Sequence, residues 1–122
     1  MKFTSITQFK QFLAEAYSAQ DARDTFEGVL SPAIITDIES KFKIEYGTKT
    51  ANDSIMYYIV LKDQSGRLID RIVYQPSSNI DAPEWWTAAS TATEKPLNFL
   101  NWNQLVEWFN SNNTYKLPLL KL

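Results

Sequence analysis

The chain has 122 residues and a formal charge of −2, from 12 Lys and Arg against 14 Asp and Glu. It contains no histidine and no cysteine, which removes the usual general base near neutral pH, thiolate nucleophiles, disulfides and the commonest zinc ligands. Aromatic residues make up 14% while glycines number three, so ring surface is abundant and phosphate-cradling loops are not expected.

This length predicts a single domain over residues 1–122 with a core sufficient to fold without staples. No apolar run approaches the roughly 18 residues of a membrane span. The N-terminal segment carries Lys10 and Glu15 within an amphipathic pattern and does not read as a signal peptide. With no cysteine, a cytoplasmic location is expected.

In chain order, Ser5 with Gln8 reads as a capping box. Ile6, Phe9, Phe12, Leu13, Ala16 and Tyr17 follow at helical spacing, with Lys10, Gln11, Glu15 and Ser18 on the other face. Asp21 and Asp24 are read as opening a second, shorter helix with Phe26, Val29 and Leu30 as its apolar positions. Ser31 then caps a third helix with Pro32 at its first position and Ile34, Ile35 and Ile38 on its apolar face.

After Ser40 the period changes to two. Phe42, Ile44 and Tyr46 alternate with Lys41, Lys43 and Glu45, the pattern of a half-buried strand. Residues 55–61 are apolar on both alternating sets. The stretch from Asp63 to Gly66 has the chemistry of a type I turn with a glycine bulge, and residues 67–75 form the returning strand. Turn register decides whether Asp70 or Arg71 faces the helices, and the sequence leaves that open. Asp81, Pro83 and Glu84 look like a helix start, giving a short helix near residues 81–90 that ends by Pro96. Asn101 caps a last helix with Trp102, Leu105, Val106 and Phe109 at i, i+3, i+4 and i+7, and the tail from Tyr115, holding Pro118, is expected to be extended and docked. The expected architecture is α+β: N-terminal helices, a three-stranded antiparallel β-meander, and C-terminal helices packed on the sheet, covering its second face.

Candidate functional residues are aromatic. On a helix Trp85 and Trp86 would point about 100° apart, one entering the core and the other sitting at its edge as a partner anchor. Asp81 and Glu84 would rim that contact, or simply cap the helix. Trp108 lies off the main stripe of the last helix and either widens it or projects outward. In the middle strand Met56, Tyr58 and Val60 point one way, and Ile55, Tyr57, Ile59 and Leu61 the other.

Catalytic signals are absent. Asp21 with Asp24 and Glu39 with Glu45 have no recognisable paired-carboxylate spacing, and calcium-loop and phosphate-loop patterns are missing. The acidic group Asp21, Asp24, Glu27, Asp37 and Glu39 reads as a solvated face. No catalytic residue, metal ligand or cofactor is expected. The expectation is a small cytosolic non-enzymatic protein that binds another protein, an inhibitor or immunity-type protein acting by steric occlusion, with Asp81, Glu84, Trp85, Trp86 and Trp108 as its contact residues. The alternatives are a ligand- or RNA-binding module using the sheet aromatics, for which the charge balance supplies no general drive, a carboxylate-based enzyme, and self-association as a homodimer.

Overall fold

In the computed structural model, which describes residues 5–51, 54–76, 84–88 and 97–121, the first helix, α1 (Ile6–Leu30), is continuous. Asp21 and Asp24 therefore do not open a separate helix. No Gly or Pro interrupts the run from 6 to 27, and pairs four residues apart tie its second half together. Gln20 Nε2 donates to Asp24 Oδ1 at 2.8 Å, and Arg23 donates to Glu27. Ala22, Phe26 and Leu30, also four apart, are buried. The side chains expected to form the apolar face at 9–17 lie outside the described ones.

One residue separates α1 from α2 (Pro32–Lys41). Ser31 takes the turn at φ 104°, a conformation that costs a non-glycine residue about 1–3 kcal/mol. Its Oγ accepts the Ile34 N–H at 3.4 Å, and Pro32 occupies the first turn, where no amide donor is needed. Ile35 and Ile38 are buried.

Five antiparallel strands follow in sequential order: β1 (Lys43–Ala51), β2 (Ser54–Lys62), β3 (Leu68–Tyr74), β4 (Trp85–Ala88) and β5 (Leu97–Phe99). The β2–β3 turn forms as its residue types imply. Asp63 Oδ1 accepts the Ser65 and Arg67 N–H groups, both at 2.9 Å, and Gly66 sits at φ 91°. The Ser65 hydroxyl, first among these donors, holds the Asp63 carboxyl below its ordinary value. Register pairs Leu61 with Asp70, Ile59 with Ile72 and Tyr57 with Tyr74. Asp70 thus joins the helix-covered face and Arg71 the other.

The expected three-stranded meander is extended by β4 and β5, and the helix expected near 81–90 is replaced by a strand at Trp85–Ala88. Trp and Thr favour a pleated surface, and this segment finds ladder partners on both sides. Trp85 pairs with Tyr74 and Phe99, and Thr87 with Ile72 and Leu97. A helical start by Asp81 and Pro83, and a stop at Pro96, fall outside the described residues.

Among the described residues one C-terminal helix, α3 (Trp102–Asn112), is present, capped by Asn101, whose Oδ1 accepts the Gln104 N–H at 2.9 Å. Trp102, Leu105, Val106 and Phe109 are its buried stripe, as their spacing implies. The extended tail is pinned to α3. The Trp102 indole N–H donates to the Pro118 carbonyl at 2.9 Å, and Asn110 both donates to and accepts from the Leu117 backbone.

All three helices among the described residues lie on one face of the sheet. Phe26 of α1 packs 6.4 Å from Tyr46, 6.3 Å from Tyr74 and 6.1 Å from Trp85, centroid to centroid. Phe42, just past α2, meets Phe109 of α3 at 6.4 Å. Trp85 meets Trp102 at 5.0 Å. α3 and the tail therefore close the same core instead of covering the second face, which no described helix crosses.

Beside this core the Tyr46 hydroxyl is buried without a hydrogen-bond partner. Burial, with the nearby Glu39 carboxylate, pushes its pKa up to about 12. Arg23 donates to Glu39 at 2.9 Å, and that hydrogen bond raises the guanidinium pKa.

Two outcomes follow for stability. Phe26→Ala removes the ring common to three aromatic contacts and should cost about 3–5 kcal/mol in urea unfolding. Tyr46→Phe deletes an unsatisfied hydroxyl and should leave stability at pH 7 unchanged or raise it by about 1 kcal/mol. Because the folded pKa lies above the unfolded value of about 10, the wild-type contribution is complete below pH 10 and is lost as pH rises towards about 12. Alkaline urea melts should show the variant retaining stability that the wild type loses.

Candidate functional site: the uncovered sheet face

Strand alternation sends every second residue of β1 to β4 away from the helices. Across the sheet, Gly47 pairs with Tyr58, Tyr58 with Val73, and Val73 with Trp86, so these four form one row on the uncovered face. Arg71 stands opposite Val60 on the same side, and Met56 opposite Lys49. Lys49, Met56, Tyr58, Arg71, Val73 and Trp86 line a shallow groove of about 370 Å³.

Each part of the groove has a local cause. Gly47 leaves room for the Tyr58 ring to lie flat across β1, and a Cβ there would fall 2.1 Å from the Tyr58 hydroxyl. The Arg71 guanidinium sits 5.7 Å from the centroid of the same ring, a cation–π arrangement that leaves its N–H fork unpaired with any described carboxylate. Tyr58 and Trp86 are half-buried, with one strand between them. At strand spacings of about 4.8 Å, their backbones stand roughly 10 Å apart.

Electrostatics separates the two sides of the molecule. The charged strand residues on the uncovered face are Lys43, Lys49, Lys62, Arg71 and Glu45, and Glu45 pairs with Lys62 at 2.7 Å. Among the described residues no carboxylate pairs with Lys43, Lys49 or Arg71. The acidic residues Asp21, Asp24, Glu27, Asp37 and Glu39 lie on α1 and α2, in the layer behind. A chain of net charge −2 therefore presents a cationic sheet face.

The adjacent tryptophans point to opposite sides of the sheet. Trp85 is 3% exposed, packed at 4.6 Å on Tyr74 and against Phe26 and Trp102, so it is core. Trp86 faces the groove. Trp108 is half-buried, 5.9 Å from Phe99 on the helix side, and so lies on the other side of the sheet from Trp86. Glu84 is half-buried at the start of β4, with its carbonyl accepting the Gln75 N–H at 2.8 Å. Asp81 lies outside the described residues. The structure thus brings Trp86 together with Lys49, Met56, Tyr58, Arg71 and Val73, none of which was expected as a protein-contact residue, although the sheet aromatics and an arginine belonged to the RNA-binding alternative. The available signal was the second alternating set of β1: Lys43, Glu45, Gly47 and Lys49 hold no apolar side chain, which marks that face as unsuited to core.

A second, mostly apolar groove of about 520 Å³ runs between the start of α2 and the tail, past Ile34 and Leu119. Among the described residues no cluster of three or more acidic side chains is placed to hold a metal ion, and no helix is long and apolar enough to cross a membrane. No protein-family model, curated protein or solved structure matches the chain.

Gly47→Thr should push the Tyr58 ring out of its seat while leaving the helix-side core intact. The expected result is a normal far-ultraviolet circular dichroism spectrum with large shifts of the Tyr58 ring resonances. Unmoved ring resonances would show that Tyr58 does not need the space above residue 47.

Proposed function

We propose that this chain is a small cytoplasmic, non-enzymatic protein that binds another protein through the uncovered sheet face and acts by occluding a surface of that partner, in the manner of an inhibitor or immunity-type protein. The observation that carries this reading is the groove itself. It joins Trp, Tyr, Met and Arg side chains from three strands, the residue types enriched at protein interfaces. A pleated sheet backed by a packed helical layer is a rigid platform, which limits the entropy lost on binding. The lack of histidine and cysteine supports contact chemistry in preference to proton or electron transfer.

A second reading, a single-stranded RNA-binding module, gains support from the cationic character of this face, because aromatic rings on a sheet beside Lys and Arg can stack bases and hold phosphates. It is weaker because only three cations there are unpaired among the described residues, few for the successive phosphates of a bound strand.

Tagged wild-type protein and the Trp86→Ala variant, both recovered from the native host, distinguish these readings. A stoichiometric protein partner should accompany the wild type and be lost from the variant. A wild type that elutes as a lone monomer, or a partner retained equally by Trp86→Ala, would overturn the proposal.

A further inference from the structure

The uncovered face also indicates the chemistry of what it takes. Lys43, Lys49 and Arg71 lie on the face without a carboxylate partner among the described residues, whereas Lys62 is already bound to Glu45 and the cations of the helical layer, Arg23 and Lys41, are committed to Glu27, Glu39 and Asp37. Of Lys43, Lys49 and Arg71, the last two line the aromatic groove, while Lys43 lies at the other end of β1. Arg71 is held over the Tyr58 ring, which positions a planar fork suited to a carboxylate at the groove rim. Between the cations the floor is apolar, from Met56, Val73 and the faces of Tyr58 and Trp86, and its volume suits a single large side chain.

We propose, resting on the protein-binding reading above, that the occupant is an acidic segment of a partner protein, which places one aromatic or large apolar side chain in the groove between Tyr58 and Trp86 and sets flanking carboxylates against Arg71 and Lys49. The side chain supplies most of the affinity. The charges supply orientation and selectivity, since exposed pairs individually contribute little. Like charge also disfavours a second copy bound face to face, because that arrangement would bring Lys49 and Arg71 of the two copies towards one another.

The test is a titration of the full chain, followed by amide and indole resonances, with four probes: a short peptide of Glu and Asp around one Phe, the same peptide with Ala for Phe, a Lys peptide around one Phe, and oligouridylate. The acidic Phe peptide should shift the Trp86 indole and the Arg71 and Lys49 amides. It should bind about tenfold more tightly than the Lys peptide at low salt, the difference that two or three exposed pairs provide. Raised salt should shrink that gap, and the Ala peptide should bind more weakly. Arg71→Glu should reverse the preference, with Arg71→Gln giving an intermediate value if reversal disturbs folding. Equal binding of both Phe peptides at these residues would overturn the acidic assignment while leaving the protein-binding site in place. Shifts at Trp86 with oligouridylate alone, or no shift with any peptide, would overturn both.

Discussion

The packing of Trp85 sets the geometry of everything around it. Its indole is wedged among Phe26, Tyr74 and Trp102, which joins the first helix, the third strand and the last helix through one side chain. A strand has a period of two, so once Trp85 is committed to the core, Trp86 must leave it. The same parity, carried through the ladder, places Val73, Tyr58 and Gly47 in line with Trp86. A register slip of one residue would bury Arg71 and expose Asp70's present neighbours, an arrangement opposed by every apolar contact on the helix side.

Placing all the helices on one face has an electrostatic consequence. Helix surfaces hold Asp21, Asp24, Glu27, Asp37 and Glu39, and Arg23 and Lys41 neutralise part of them locally through Glu27, Glu39 and Asp37. The strands hold Lys43, Lys49 and Arg71 on the opposite side. The bulk composition, which alone argues against an anionic partner, averages over two layers that a ligand never meets together. A surface charge is a property of a face, and the formal total of −2 conceals it.

Much of the fold was legible because its signals are local. The α3 stripe of Trp102, Leu105, Val106 and Phe109, the Asn101 cap, the Asp63–Gly66 turn and the Pro32 helix start each rest on residues within a few positions of one another. The errors were non-local. Asp21 and Asp24 resembled a helix start but lie inside α1, because nothing before them ends the helix. Asp81, Pro83 and Glu84 resembled another, but the segment from Trp85 gains hydrogen bonds from β3 and β5 that no local pattern announces. Of the candidate contact residues, Trp86 lines the groove, whereas Trp85, adjacent to it, is sealed in the core.

By itself the sequence determined the class of element over most of the chain, the α+β composition, the absence of imidazole and thiol chemistry, and the identity of most core side chains, because backbone preference and apolar periodicity act over one or two turns or a few strand positions. Only the tertiary structure decided the five-strand count, which sheet face the helices cover, the pairing of Val60 with Arg71, and the meeting of Tyr58 and Trp86 across Val73. Those outcomes depend on hydrogen-bond ladders and ring contacts between residues far apart in the chain, and on which of two alternating faces buries more apolar surface when the helices settle.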